Sequence, residues 1–174
     1  RFVLPNDFFN HIINDKVTVL PLMPITLTDM FDEDENRLPS SELLENVRII
    51  TSSGGNVTNK MIADIEKYFV SAKFYSMHGL TEAFRSTYLD PSQLKIRPDS
   101  IGKAIPDVEL YVIDEEGNEC APRVVGELIH RGRYIYQGYW KGPKETKERF
   151  KSAQILKNII NLDGQLNDEI VVAT

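Results

Sequence analysis

The stretch FYSMHGLTE, Phe74–Glu82, decides the fold, because it joins a strand-like run, Phe74–Met77, to a turn carrying a ring, a glycine, a hydroxyl and a carboxylate. Working upstream, Thr58 is placed to cap a helix that shows Ile62, Ile65 and Phe69 on one face. Before it, Val47–Thr51 reads as a strand, preceded by a short helix at Ser41–Glu45. Earlier still, Val17–Leu20 reads as a buried strand. Phe8, Phe9, Ile12 and Ile13 give a first helix one apolar face, with Asn6 or Asp7 as its cap. Strands separated by helical crossovers predict parallel pairing, so residues 1–98 are expected to form an α/β unit, a parallel sheet with flanking helices. The segment Asp29–Asn36 (DMFDEDEN) holds five acids in eight residues, and charge of one sign at that density reads as a solvated loop rather than a metal site.

Downstream of Pro98 the pattern changes. Val108–Asp114 (VELYVID) is β-rich, Glu116-Gly-Asn118 is a turn signal, and Gly126–Arg131 (GELIHR) reads as another strand. Pro143 suits a first helical position ahead of Lys144–Phe150, and Ile170–Thr174 (IVVAT) reads as a strand cut at its end. Residues 99–174 are therefore expected to be antiparallel or barrel-like and truncated at the C-terminus. The stretch Ser152–Leu162 is ambiguous between helix and strand.

Composition narrows the function. The chain has 174 residues, 41% apolar, enough to bury a sizeable core. Its net charge of −6 lacks the electrostatic footprint of a nucleic-acid binder. No apolar run approaches the roughly 20 residues of a membrane span, and no basic-then-apolar leader opens the sequence, so a cytoplasmic location is expected. One cysteine, Cys120, forms no internal disulfide, and His11, His78 and His130 make no Cys/His cluster at zinc spacing. Small-molecule chemistry is the class that remains.

Parallel sheets place ligands outside the carboxyl ends of their strands, so the residues after each strand carry the search. After Val47–Thr51 comes Ser52-Ser-Gly-Gly-Asn56, where two glycines let a flat ligand approach the backbone or simply form a turn. After Met77 comes His78-Gly-Leu-Thr-Glu82. A ring can cover a base, a hydroxyl can donate to a phosphate oxygen, and a carboxylate can hold magnesium. The same residues also suit a strand-ending turn with a Thr cap and a surface Glu.

FYSMHGLTE resembles the signature of the adenylate-forming (AMP-binding) acyl-CoA synthetase superfamily, an aromatic residue, Gly, any residue, Thr and Glu. That resemblance implies that the ring at His78 stacks on adenine, Thr81 contacts the α-phosphate and Glu82 helps bind Mg2+, Thr81 and Glu82 being the catalytic pair. The family's usual residue at the ring position is Tyr, so His78 is a departure, a smaller ring that titrates near neutrality. Ser53, Gly54, Gly55, Asn56, Met77, His78, Gly79, Leu80 and Thr81 would form the nucleotide site.

Other segments resemble the family in order. They are Leu4–Pro24, Ser52–Asn56, Ser100–Pro106 (SIGKAIP) and Gly126–Phe150, with its Gly-Glu-Leu…Gly-Tyr…Pro…Thr…Phe spacing. Lys151–Glu169 resembles it least, as an insertion before a Thr-Gly-Asp motif whose Thr would be Thr174. HGLTEAFRSTYLDP with RPDSIGKAIP is most similar to acyl-CoA ligases of exosortase and exopolysaccharide systems. The resemblance implies an enzyme that activates a small carboxylic acid with ATP as an acyl-adenylate. The acyl group then passes to a thiol, that of coenzyme A or of a carrier protein's phosphopantetheine. The family's phosphate loop and lid lysine are missing from these residues, so the isolated chain is expected to be inactive, a structural or purely nucleotide-binding piece of such a ligase. Glu127 reads as an outward carboxylate, His11 and His130 as surface or partly buried residues, and Tyr139-Trp140 as a core or subdomain contact.

Overall fold

A computed structural model describes residues 5–31, 38–160 and 170–173. They divide into two compact units, Arg1–His78 with Thr87–Lys103, and Gly79–Ser86 with Ala104–Thr174.

The first unit begins with α1 (Pro5–Asn14), β1 (Val19–Leu22) and α2 (Pro24–Phe31), followed by β2 (Ile49–Ser52), α3 (Asn59–Tyr68) and β3 (Lys73–His78). β1 pairs with β2 and β2 with β3, both parallel, as the alternation of strands and helices predicts. The short β4 (Thr87–Tyr88) runs antiparallel to the end of β3, and β5 (Lys103–Ala104) completes the order β1-β2-β3-β4-β5. Phe9 and Ile12 of α1 are buried and Phe8 and Ile13 half-buried, one apolar face as expected, although the helix starts at Pro5, before the expected cap at Asn6 or Asp7. Ile62, Ile65 and Phe69 are all buried, beside Leu20, Leu27, Ile50 and Phe74.

Thr58 caps α3, accepting from the Met61 amide at 3.2 Å, while its own N–H donates to the Met61 sulfur at 3.5 Å. A thioether thus fills the place that Glu or Gln takes in the usual capping box.

Two boundaries moved for identifiable reasons. The Val17 amide donates to Ile12 O at 3.0 Å, closing α1, so β1 starts two residues after the expected Val17 and runs through Pro21. Likewise the Val47 amide closes the 3-10 turn Ser41–Leu44 by bonding Leu44 O at 3.0 Å, and β2 starts at Ile49. The acidic loop expected at Asp29–Asn36 needs correction, since Asp29–Phe31 ends α2. Met30 and Phe31 are buried there, with the Phe31 ring stacked on Tyr68 at 5.5 Å, so apolar anchors outweigh the charge. Residues 32–36 of that segment lie outside the described residues.

The second unit holds β6 (Val108–Ile113), β7 (Glu127–Gly132), α4 (Pro143–Arg149), β8 (Phe150–Ser152) and β9 (Ile170–Ala173). The strands form an antiparallel sheet in the order β6-β7-β9-β8. Ile113, Ile129, Ala153, Leu156, Val171 and Ala173 fill its core. Pro143 starts α4 as read from the sequence. Of the ambiguous Ser152–Leu162 stretch, Ala153–Leu156 is a 3-10 turn, and positions 161–162 fall outside the described residues. So do Thr174 and residues 161–169 of the segment read as an insertion. Among the described residues no helix is long and apolar enough to cross a membrane.

Candidate functional site

In the first unit the register sets Ser52 of β2 opposite Ser76 of β3. Both strands run the same way, so Ser53–Asn56 and the end of β3 leave from one edge of the sheet. Ser53 is half-buried, while Gly54, Gly55 and Asn56 are exposed. Gly54 has φ +87° with open space where a side chain would stand, a backbone conformation that a Cβ would strain. The hydroxyls of Thr51 and Ser52 are buried without a hydrogen-bond partner among the described residues, and Ser52 is 1% exposed. Buried polar atoms are normally bonded, so an unsatisfied pair at a strand's carboxyl end marks a place that a ligand or ordered water would complete. Met77 and His78, both half-buried, close β3 by pairing with Tyr88 and Thr87.

Gly79, Leu80, Thr81 and Glu82 fall in the second unit, in a turn closed by the Leu80 amide on Ala83 O at 3.0 Å. A Cβ at Gly79 would lie 2.2 Å from the Arg85 backbone nitrogen, so only glycine permits this fold-back. Arg85 itself has φ +47°, and Ser86 Oγ donates to Ala83 O at 3.0 Å. The turn is pinned from outside as well: the Tyr136 amide donates to Glu82 O at 3.0 Å, and Ala83 bridges Ile135.

Thr81 is exposed and Glu82 half-buried. Tyr139 Oη donates to Glu82 Oε1. That bond, helped by the charge of Arg149, holds the Glu82 carboxyl below the usual carboxylate range, and in return it pushes the Tyr139 phenol up. Glu82 is therefore an anionic oxygen donor at neutral pH. Among the described residues no group of three or more His, Cys, Asp or Glu gathers as an all-protein metal cage. One ionised carboxylate fits Mg2+ of the kind bound through one or two carboxylates plus substrate phosphates.

Four minor assignments can be compared with the structure. Glu127 is exposed and His11 is a surface residue whose Nδ1 pairs with Asp15 at 3.2 Å. His130, expected to be a surface or partly buried residue, is fully buried in β7 beside the equally buried Ile129, so both faces of the strand are covered at this point. Trp140, expected in a core or subdomain contact, is 90% exposed. Only its neighbour Tyr139 packs, edge-on to Phe150 at 5.6 Å. The Tyr139–Glu82 contact had no local sequence signal, since the partners are 57 positions apart.

The family described as AMP-binding enzyme matches residues 1–140. The chain is 28% identical to the long-chain-fatty-acid–CoA ligase of Salmonella typhimurium over 102 residues, covering 59% of the chain and 18% of that protein. It is 31% identical to a phenyloxazoline synthase of Mycobacterium sp. over 149 residues, 84% of the chain and 12% of the synthase. It thus spans less than a fifth of either relative's length. Among solved structures, the o-succinylbenzoate CoA synthetase of Bacillus subtilis, in complex with its acyl-adenylate intermediate, superposes with a TM-score of 0.71 at 24% identity. That match covers 87% of this chain and 29% of the synthetase, and it shows a shared fold.

Proposed function

This chain belongs to the AMP-binding enzyme family, and on that premise we propose that the protein carrying it is an AMP-forming acid–thiol ligase. A carboxylate oxygen of the acid attacks the α-phosphorus of ATP, pyrophosphate leaves, and an acyl-adenylate forms. A thiol then attacks the acyl carbonyl and AMP departs. The first step converts an electron-rich carboxylate, which resists nucleophiles, into a mixed anhydride with a good leaving group.

In this reading the His78 ring covers adenine, with Ser53, Gly54, Gly55, Asn56, Met77, Gly79 and Leu80 lining the nucleotide. The Thr81 hydroxyl donates to an α-phosphate oxygen and Glu82 supplies one oxygen to Mg2+. The ion, when bound, neutralises charge on the phosphates. Oriented donors such as Thr81 stabilise the charge that develops in the transition state without reorganising. The acceptor thiol is that of coenzyme A or of carrier-protein phosphopantetheine; relatives named as a CoA ligase and as a phenyloxazoline synthase make both chemistries reasonable. We assign the reaction to the cytoplasm, where ATP is supplied.

The state of Glu82 supports this reading most: a carboxylate kept ionised, on a turn braced at both its backbone and its side chain. The test is Glu82→Gln in the full-length protein that contains these residues, followed by ATP–pyrophosphate exchange. Exchange is expected to fall roughly tenfold or more, the equivalent of about 1.4 kcal/mol, while stability changes by about 0.5 kcal/mol or less. A fully active variant with unchanged magnesium response would remove Glu82 from the mechanism.

A further inference from the structure

Tyr139 is fixed at three points within the second unit. Its N–H donates to Thr146 Oγ1 at 2.9 Å, and that hydroxyl donates onward to Gly142 O at 2.7 Å, tying the tyrosine to the first turn of α4. Its ring stands edge-on to Phe150, with an interplanar angle of 78°. Its hydroxyl reaches Glu82 Oε1. Glu82 is anchored in turn by the Tyr136 amide on its carbonyl, so the same stretch of chain grips the backbone and the carboxylate of one residue. Arg149, whose charge also favours the carboxylate, is held by Nη1 on Ala173 O at 2.9 Å.

A surface glutamate has three free torsions and no reason to aim either oxygen at one point in space. A phenol donating to Oε1 removes much of that freedom and occupies one of the two oxygens, which favours metal binding through the other. Mg2+ demands near-ideal octahedral geometry, which a carboxylate gripping with both oxygens distorts and one offering a single oxygen satisfies. Metal ligands are oriented in this way by hydrogen bonds from residues that never touch the metal. We propose that Tyr139 is a positioning residue that holds Glu82 as a one-oxygen ligand for the divalent cation accompanying the nucleotide. The proposal rests on the reading of Glu82 given above. Tyr139 acts only through that carboxylate and takes no part in the bonds made or broken.

The experiment compares wild type, Tyr139→Phe, Glu82→Gln and the double variant in the full-length protein. Phe keeps the ring against Phe150 and removes only the hydroxyl. Mn2+ binding is measured by electron paramagnetic resonance with a non-hydrolysable ATP analogue present, beside the Mg2+ dependence of ATP–pyrophosphate exchange and the melting temperature. Tyr139→Phe is expected to weaken Mn2+ binding about fivefold and to raise the half-saturating Mg2+ equally, the value of one net hydrogen bond. The melting temperature should hold, and added Mg2+ should recover exchange. In the Glu82→Gln background the same change should have no further effect on Mn2+. Normal Mn2+ binding in Tyr139→Phe, with binding lost in Glu82→Gln, overturns the positioning role and leaves Glu82 as a ligand. An undiminished Tyr139→Phe effect in the Gln background also overturns it, because the tyrosine would then act by another route. Normal Mn2+ binding in Glu82→Gln defeats the underlying reading itself.

Discussion

The carboxyl end of β2 and Glu82 in the turn at 79–86 treat their polar groups in opposite ways. At the first, the Thr51 and Ser52 hydroxyls are buried with no hydrogen-bond partner among the described residues. At the second, the carbonyl and carboxylate of Glu82 are engaged by Tyr136 and Tyr139 from outside the turn, while Ala83 O accepts from Leu80 and Ser86 within it. Leaving a buried hydroxyl unsatisfied costs about 1–3 kcal/mol, whereas a braced carboxylate has lost its freedom before any ligand arrives. One region keeps bonding capacity in reserve; the other spends its own to fix a direction.

That contrast can be attacked in order of expected effect. Gly79→Ala should be the most damaging change, because its Cβ would meet backbone rather than a movable side chain. A loss of about 3 kcal/mol in urea unfolding is expected, at the upper end of overpacking costs. A variant within about 0.5 kcal/mol of wild type would show the turn to be slack. Thr146→Val keeps the shape but strips the Tyr139 amide of its acceptor at a half-buried site. It should cost about 1 kcal/mol, and a neutral result would mean that the brace on Tyr139 carries no energy. Ser52→Ala is predicted to move the other way. Removing a hydroxyl that has no partner among the described residues should raise stability by about 1 kcal/mol, and a clear loss in melting temperature would reveal a partner.

The smallest effect belongs to Asp114, which accepts from the Asn118 amide at 2.7 Å in the turn after β6. That bond holds its carboxyl below the ordinary value of 3.8. Because the folded state lowers the pKa, the stabilisation is present above the ordinary value and fades as pH drops through the lowered one. Asp114→Asn should therefore melt slightly earlier than wild type at neutral pH, with the difference vanishing in strong acid. A gap that persists there would assign the effect to geometry rather than charge.

Much of this was legible before any coordinates. Apolar spacing found α1, α3 and β3, since each buries its stripe in one core, and Thr58 declared the start of α3. The resemblance around FYSMHGLTE found the family, whose description matches residues 1–140. α2 was missed, since Leu27, Met30 and Phe31 exert their pull only once Tyr68 and the core are brought against them. His130 was misplaced because imidazole is polar in isolation, whereas both faces of β7 are covered where Ile129 and His130 sit. The brace from Tyr139 was invisible for a related reason: no local periodicity links residues 57 apart, and only the folded unit brings them together.

The bare backbone at Gly79 reaches beyond the folded state into heredity. No other amino acid lacks a Cβ, so every missense change in that codon, whatever base is altered, brings an atom into space already taken by the Arg85 amide. Chemical similarity offers no gradation there; alanine and serine fail for the same reason as valine. The position therefore has no neighbouring sequence through which it can drift by single steps. A lineage that changed it would first have to rebuild the far side of the turn, at Ala83 and Arg85, while the glycine was still in place.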